Sequence, residues 1–260
     1  MVSLGIMWGA LGMIRGVLFD FGGVITHTCW DTRMMGEILA KTLNDFGYGI
    51  GVDLVDIFEK VMEEAWNRVV HTLMEEKMED LVRITLESVG INPDEDLIRT
   101  AIDRISEAPF CVIREDAEDA LRRIKEMGIK TAVVSNSPIN FHRRILKRVG
   151  IDKYIDEIIV SCDVGYRKPH PKIYEIAVDK LNIRPQQAVF VGDVLQIDIY
   201  GAKKLGMICI LMESPEPYMR SRYVPNYGDV KPDFVVKNLR EVVRIVKYLN
   251  NITKNCEDIQ

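Results

Sequence analysis

From residue 114 onward the chain alternates between two patterns of apolar positions. Ala120, Leu121, Ile124 and Met127 recur at helical spacing, Gly128 follows, and KTAVVS (130–135) is a short continuous apolar run. The same punctuation repeats. Ile145, Leu146 and Val149 precede Gly150 and the run DEIIVS (156–161). Ile173, Ile176, Ala177 and Leu181 precede AVFVGD (188–193), and Ala202 and Leu205 precede Gly206 and MICILM (207–212). A glycine just past a helix accepts positive φ, which lets the chain turn back at little cost. Apolar runs without strict alternation suit strands covered on both faces. RGVLFDF (15–21) is one more such strand at the start; DFVV (233–236) is a last one, before a closing helix around Val242–Leu249. Strands alternating with helices in this way predict an α/β fold with a doubly wound parallel sheet.

Residues 26–110 break the alternation. Phe58, Met62, Trp66, Val69 and Leu73 recur at helical spacing, as do Leu97, Ala101, Ile102 and Ile105, and no strand run intervenes. Asn92-Pro93-Asp94-Glu95-Asp96 predicts a helix start, with a cap at Asn92, proline in the first turn and acids facing the helix dipole. The segment therefore reads as a helical insertion of about 85 residues between the first strand and the rest of the sheet. The division is 13–25 and 111–260 for the sheet domain and 26–110 for the insertion. The segment 213–232, rich in proline and tyrosine, reads as a long loop.

Composition narrows the class of protein. With 260 residues and 47% apolar positions, the chain is neither disordered nor dependent on a disulfide or metal to hold it folded. The balance of 34 basic and 39 acidic residues, a net charge of −5, argues against nucleic acid as the main partner. Five scattered cysteines with no CxxC pair suggest neither a zinc site nor a thioredoxin-type motif, and point to a reducing cytoplasm. No apolar stretch reaches the ~18–20 residues needed to span a bilayer, so no membrane partner is expected. Residues 1–12 are apolar and without side-chain charge. They read as an extension ahead of the fold rather than a cleavable signal, with a hydrophobic arm packing on the protein or on a second copy as the competing reading.

Four chemistry-bearing positions fall at or just beyond the C-terminal ends of predicted strands, the edge where open α/β sheets bind ligands. Asp20 ends the first strand and precedes a Gly22-Gly23 turn. It is either a turn residue or a carboxylate placed to attack phosphorus or carbon. Asp193 and Asp198 each read singly as a cap or first-turn acid. Gathered near Asp20 they require a cation between them, and a hard divalent ion such as Mg²⁺ fits. Lys168, between Arg167 and Pro169, is an exposed lysine or a counter-charge for those acids and a phosphoryl group. Ser135 and Asn136 are capping residues or donors to phosphoryl oxygens. There is no GxGxxG and no GxxxxGK[ST], which disfavours dinucleotide and P-loop chemistry.

The ordered set DFGGV (20–24), SN (135–136), GYRKP (165–169) and GDVLQID (192–198) resembles the four motifs of the haloacid dehalogenase superfamily, over essentially residues 14–250. The resemblance implies a Rossmann-like core with a helical cap, 26–110, that closes over the site. In the superfamily's phosphatases it implies an Asp20 nucleophile and a Mg²⁺ ion held by Asp20, the Gly22 carbonyl, Asp193 and Asp198. Ser135 and Lys168 then hold the phosphoryl group, and the substrate is a small phosphorylated metabolite. One departure stands out. Most of these phosphatases carry a second Asp two residues after the nucleophile as general acid and base, and here that position is Gly22. His27, Thr26 and His71 are candidate replacements, each more often structural; Arg33 and Arg68 are candidate substrate contacts, more often solvated. The missing acid keeps two alternatives open: a 2-haloacid dehalogenase using the same Asp20, and a catalytically weak member binding a phosphorylated ligand or a partner protein.

Overall fold

The computed structural model describes residues 13–28, 30–49, 53–108, 111–213 and 224–257. The N-terminal extension lies outside them, as does much of the long loop. Six parallel strands form one sheet: β1 (Gly16–Phe19), β4 (Lys130–Ser135), β5 (Glu157–Val160), β6 (Ala188–Gly192), β7 (Ile208–Met212) and β8 (Phe234–Val236), in the order β5-β4-β1-β6-β7-β8. The chain enters at the centre on β1, winds outward through β4 and β5, and returns to β6 on the other flank of β1. That reversal is the topological switch point, where the loops above the strands diverge and leave a crevice.

Alternation along each strand feeds two cores. Val17, Phe19, Val133, Val189 and Val191 pack on one face of the sheet, with Ala120, Leu121 and Ile124 of α5 (Ala117–Glu126) and Val242 and Val246 of α10 (Leu239–Glu257). Leu18, Ala132, Val134 and Phe190 face the other side, against Ile173, Tyr174 and Ala177 of α8 (Pro171–Lys180) and Ala202 of α9 (Tyr200–Lys204). Each of the valine, leucine, isoleucine and phenylalanine side chains, fully buried, contributes about 1.5–3 kcal/mol. The continuous apolar runs in the sequence are thus explained by cover on both sides.

Between β1 and β4 the chain builds α1 (Thr32–Asp45), α2 (Asp53–Thr72), α3 (Met78–Ser88) and α4 (Glu95–Glu107). Helix α1 packs on α2 and α4, and α3 on α2 and α4. Two local differences from the sequence expectation appear. Helix α4 starts two residues later than expected: Asp94, not Asn92, is the cap, its side chain accepting from Leu97 N at 2.8 Å. The segment is also not wholly helical. Strand β2 (Thr26–Thr28) pairs antiparallel with β3 (Val112–Ile113), tying the two chain crossings together at the base of the helices.

Candidate active site

The loops above β1, β4 and β6 converge on a cavity of about 160 Å³ lined by Asp20, Ser135, Asn136, Lys168, Asp193 and Asp198 among others. Asp20 directly follows β1, and its N–H donates to Val191 O on β6 at 2.8 Å, so the carboxylate inherits the rigidity of two central strands. Asp193 follows β6. Asp198 lies in a single π-helical turn, Leu195–Ile199, a rarity common at functional sites. That turn is anchored twice. Asp198 Oδ2 accepts from Asp193 N and Val194 N at 3.1 and 2.9 Å, and the buried Tyr174 hydroxyl lies 2.7 and 3.1 Å from the Ile197 and Asp198 carbonyls.

Two glycines make this convergence sterically possible. A Cβ on Gly23, whose φ is +77°, would fall 2.1 Å from Asp193 Oδ2; one on Gly192 would fall 2.2 Å from the Asp198 Cβ. Gly22 differs from both, since a Cβ there would meet nothing within 4 Å.

Carboxylate oxygens of Asp20, Asp193 and Asp198 lie within 4.8 Å of one another. Lys168 Nζ sits between two of them, 2.5 Å from Asp20 Oδ1 and 2.7 Å from Asp198 Oδ1; the latter is an ion pair not aligned as a hydrogen bond. Burial disfavours the ammonium, but Asp198 and Asp20 outweigh it and hold Lys168 above its ordinary 10.5. Burial pushes Asp20 up to about 6, with the Lys168 charge opposing and Asp198 adding. Asp193 rises further, to about 8, through burial and then repulsion from Asp20 and Asp198. One lysine does not neutralise three acids. The surplus of negative charge, the all-oxygen donor set and the space kept by Gly23 fit a hard divalent cation.

Of the residues expected from sequence, Asp20, Asp193, Asp198 and Lys168 meet directly, and Ser135, the last residue of β4, lines the same cavity. Asn136, expected as a donor to phosphoryl oxygens, lines the cavity as well. Its carboxamide accepts from Lys168 N at 2.7 Å and donates to Lys168 O at 3.0 Å, so it fixes the lysine's backbone. His27 lines the cavity, with Nε2 3.1 Å from Glu115 Oε2. Thr26 is buried and donates its hydroxyl to Phe21 O. His71 is exposed and is not among the lining residues. Arg33 lies near Glu37, Asp56 and Glu59 at the surface.

Sequence reasoning missed three features. Glu75, on the segment after α2, is buried against Arg167, whose Nη1 lies 2.7 Å from both carboxylate oxygens; the Ser161 hydroxyl also donates to Glu75. Arg167 in turn lies over the Trp66 ring at 5.3 Å. His142 is fully buried at the cavity edge, stacked on Phe141 and edge-on to Phe21, with neither ring nitrogen hydrogen-bonded among the described residues. Burial, then the Lys168 charge, depresses it to about 3, so it is neutral. Tyr227, from the long loop, donates its hydroxyl to Val70 O in α2 at 2.6 Å. All three depend on partners distant in sequence.

Acids at the ends of β1 and β6 with a lysine between them form a carboxylate site at the strand ends of a doubly wound parallel sheet, and the comparisons give the class of hydrolase. The family model for haloacid dehalogenase-like hydrolases matches residues 14–206, and the chain belongs to that family. It is 30% identical over 245 residues to a glyceraldehyde 3-phosphate phosphatase of Methanopyrus kandleri, covering 91% of this chain and 99% of the relative. A protein of the same name from Pyrococcus furiosus is 25% identical over 250 residues, covering 93% and 96%. Among solved structures, a 2-haloacid dehalogenase from Pseudomonas syringae superposes with a TM-score of 0.66 at 21% identity, covering 91% of this chain and 99% of that one. A phosphatase of the family from Thermococcus onnurineus gives 0.58 at 23%, covering 90% and 98%; both likenesses speak to fold alone. Among the described residues no helix is long and apolar enough to cross a membrane.

Proposed function

We propose that this protein is a Mg²⁺-dependent phosphatase hydrolysing a small phosphorylated metabolite, with glyceraldehyde 3-phosphate, the substrate named for its relatives, first among the compounds to try. The observation that carries the reading is the gathering of Asp20, Asp193 and Asp198 around Lys168 at the switch point. A 2-haloacid dehalogenase needs a nucleophilic carboxylate but no cation cluster. Asp20, the Gly22 carbonyl, Asp193 and Asp198 are the ligands proposed for Mg²⁺. When bound, the ion neutralises charge on the phosphoryl oxygens and on the acids themselves.

The chain's own residues supply position and charge. Lys168 holds one Asp20 oxygen, which orients the other for in-line attack on phosphorus. The new Asp20–phosphorus bond forms as the bond to the leaving oxygen breaks, and that oxygen takes its proton from water, since Gly22 has no acid to give. Water then hydrolyses the aspartyl-phosphate. Ser135 and the Lys168 ammonium stabilise the charge on the transferring group. Asn136 keeps Lys168 in register. Segment 26–110 is proposed as a cap over the core formed by 13–25 and 111–260, with a cytoplasmic setting.

The test is phosphate release from p-nitrophenyl phosphate and glyceraldehyde 3-phosphate, with Mg²⁺ and with EDTA, for the wild type and Asp20→Asn. Mg²⁺-dependent release, reduced at least ~10³-fold in Asp20→Asn, is expected. Metal-independent chloride release from 2-chloropropionate would overturn the reading. Normal Mg²⁺ binding without turnover of any ester or haloacid would favour the ligand-binding alternative.

A further inference from the structure

We infer that the leaving group of the substrate is short and uncharged, and that Glu75 and Glu76 exclude monoesters carrying a second anion. This rests on the phosphatase reading and narrows it. The cavity has two unlike walls. The core wall takes the phosphoryl group; the helical wall presents Trp30, Met62, Ala65, Trp66 and Val69. Those side chains offer little to a polyhydroxylated sugar, whose hydroxyls would exchange water for apolar contact. The volume of about 160 Å³ is below the ~300–1,000 Å³ of drug-sized ligand sites and favours a leaving group of a few carbons.

Charge is the sharper filter. Five carboxylates line the cavity (Asp20, Glu75, Glu76, Asp193 and Asp198) against one lysine, one arginine and His27. Arg167, which lines the cavity, and Arg68 of α2 are each held by an acid. Arg167, 5% exposed, is gripped by Glu75, and Arg68 is held by Glu76 through two hydrogen bonds of 2.8 Å. The cations of the lining are thus already paired, Arg167 with Glu75, Lys168 with Asp20 and Asp198, and His27 with Glu115, so a carboxylate or second phosphate on the leaving group would find none free to receive it among the described residues. An aldehyde, ketone or hydroxyl of the same length meets no such penalty. The pair sits on the five-residue connection between α2 and α3, where EEK (75–77) reads in sequence as ordinary surface charge.

The experiment compares glyceraldehyde 3-phosphate and glycerol 3-phosphate with 3-phosphoglycerate, which matches them in length but ends in a carboxylate, and with pyrophosphate. In the wild type with Mg²⁺, kcat/KM for the neutral pair is expected to exceed that for 3-phosphoglycerate at least tenfold. Calorimetric affinities of the same compounds for the Mg²⁺-loaded Asp20→Asn protein are expected in the same order. Glu76→Gln releases Arg68 and should narrow the ratio severalfold in both assays; Glu76→Asp, which keeps the charge, should restore it. Equal use and equal binding of 3-phosphoglycerate, or a ratio unmoved by Glu76→Gln, overturns the inference. If no ester is hydrolysed, the phosphatase reading falls, while the affinity order on Asp20→Asn still decides whether the cavity rejects a second anion.

Discussion

The core wall of the cavity carries Asp20, Asp193, Asp198 and Lys168 in direct contact, each fixed by backbone hydrogen bonds or a buried ion pair. The helical wall opposite carries Trp30, Met62, Trp66 and Val69, joined to the core by Glu75–Arg167 and by Tyr227 reaching Val70. On the first wall the groups are mutually dependent, because removing one charge leaves the others uncompensated at low dielectric. On the second, contacts are apolar and graded, so a change there trims selectivity before it stops chemistry. In the proposed phosphatase, reactivity and choice of substrate thus fall to different parts of the chain.

Three changes test that division. The largest effect is expected from Gly22→Asp. Open space surrounds the position, and general acid–base catalysis contributes roughly 10²–10⁴-fold, so an acid here should raise kcat on alkyl phosphates about ten- to a hundredfold. Good leaving groups such as p-nitrophenol should gain little. An equal gain on both esters would show that proton supply is not what the core wall lacks.

Next comes the response to pH and cation. The Asp193 pKa is raised from 3.8 to about 8 in the folded protein. Its protonated form therefore stabilises the metal-free fold at low pH, and that contribution is lost as pH rises through about 8. Mg²⁺ competes with the same proton, so it should bind more tightly at pH 8 than at pH 6. Differential scanning fluorimetry should show a Mg²⁺-induced rise in Tm larger by about 5 °C at pH 8. A rise independent of pH would place the cation away from these acids.

The smallest effect concerns His142. Two buried ring nitrogens without partners among the described residues are a burden that a phenyl ring lacks, so His142→Phe should raise stability by about 1 kcal/mol near neutral pH. The histidine's pKa falls from 6.5 unfolded to about 3 folded. Stability it permits above pH 6.5 is lost as pH falls toward 3, about 2 kcal/mol between pH 6.5 and 5. Urea titrations at pH 7 and pH 5 should therefore separate the two proteins more at pH 5. A destabilised variant at both values would assign His142 a polar partner in solution.

Much of the core wall was legible in the sequence. Strands β1, β4 and β6 are continuous apolar runs because helices cover both sheet faces, and an acid ending such a run can face only the strand-end crevice. Strands β2 and β3 were not legible. Thr-His-Thr has no apolar pattern, and its two-residue partner lies more than 80 residues on. Asp94 displaced Asn92 as the cap because both residues suit that position and only the backbone path decides between them. That the Asn136 carboxamide also holds the backbone of a residue 32 positions away was not legible, because the partner arrives only with the fold. Glu75 reads as one surface acid among several, since its burial depends on Arg167 and Ser161, some 90 residues away in sequence.

Arg167 and Lys168 are neighbours in sequence, yet one answers to Glu75 in the insertion and the other to Asp20 in the sheet. The peptide link between them thus couples the two walls, beside the Tyr227–Val70 contact, which makes the molecule less modular than its layout suggests. An insertion grafted from a relative to change substrate would have to bring its own acid to the place of Glu75. Without it Arg167 would be left charged and buried, and the disturbance would reach the lysine beside it. Exchange of whole helical segments should therefore succeed only between chains that agree at this one pair.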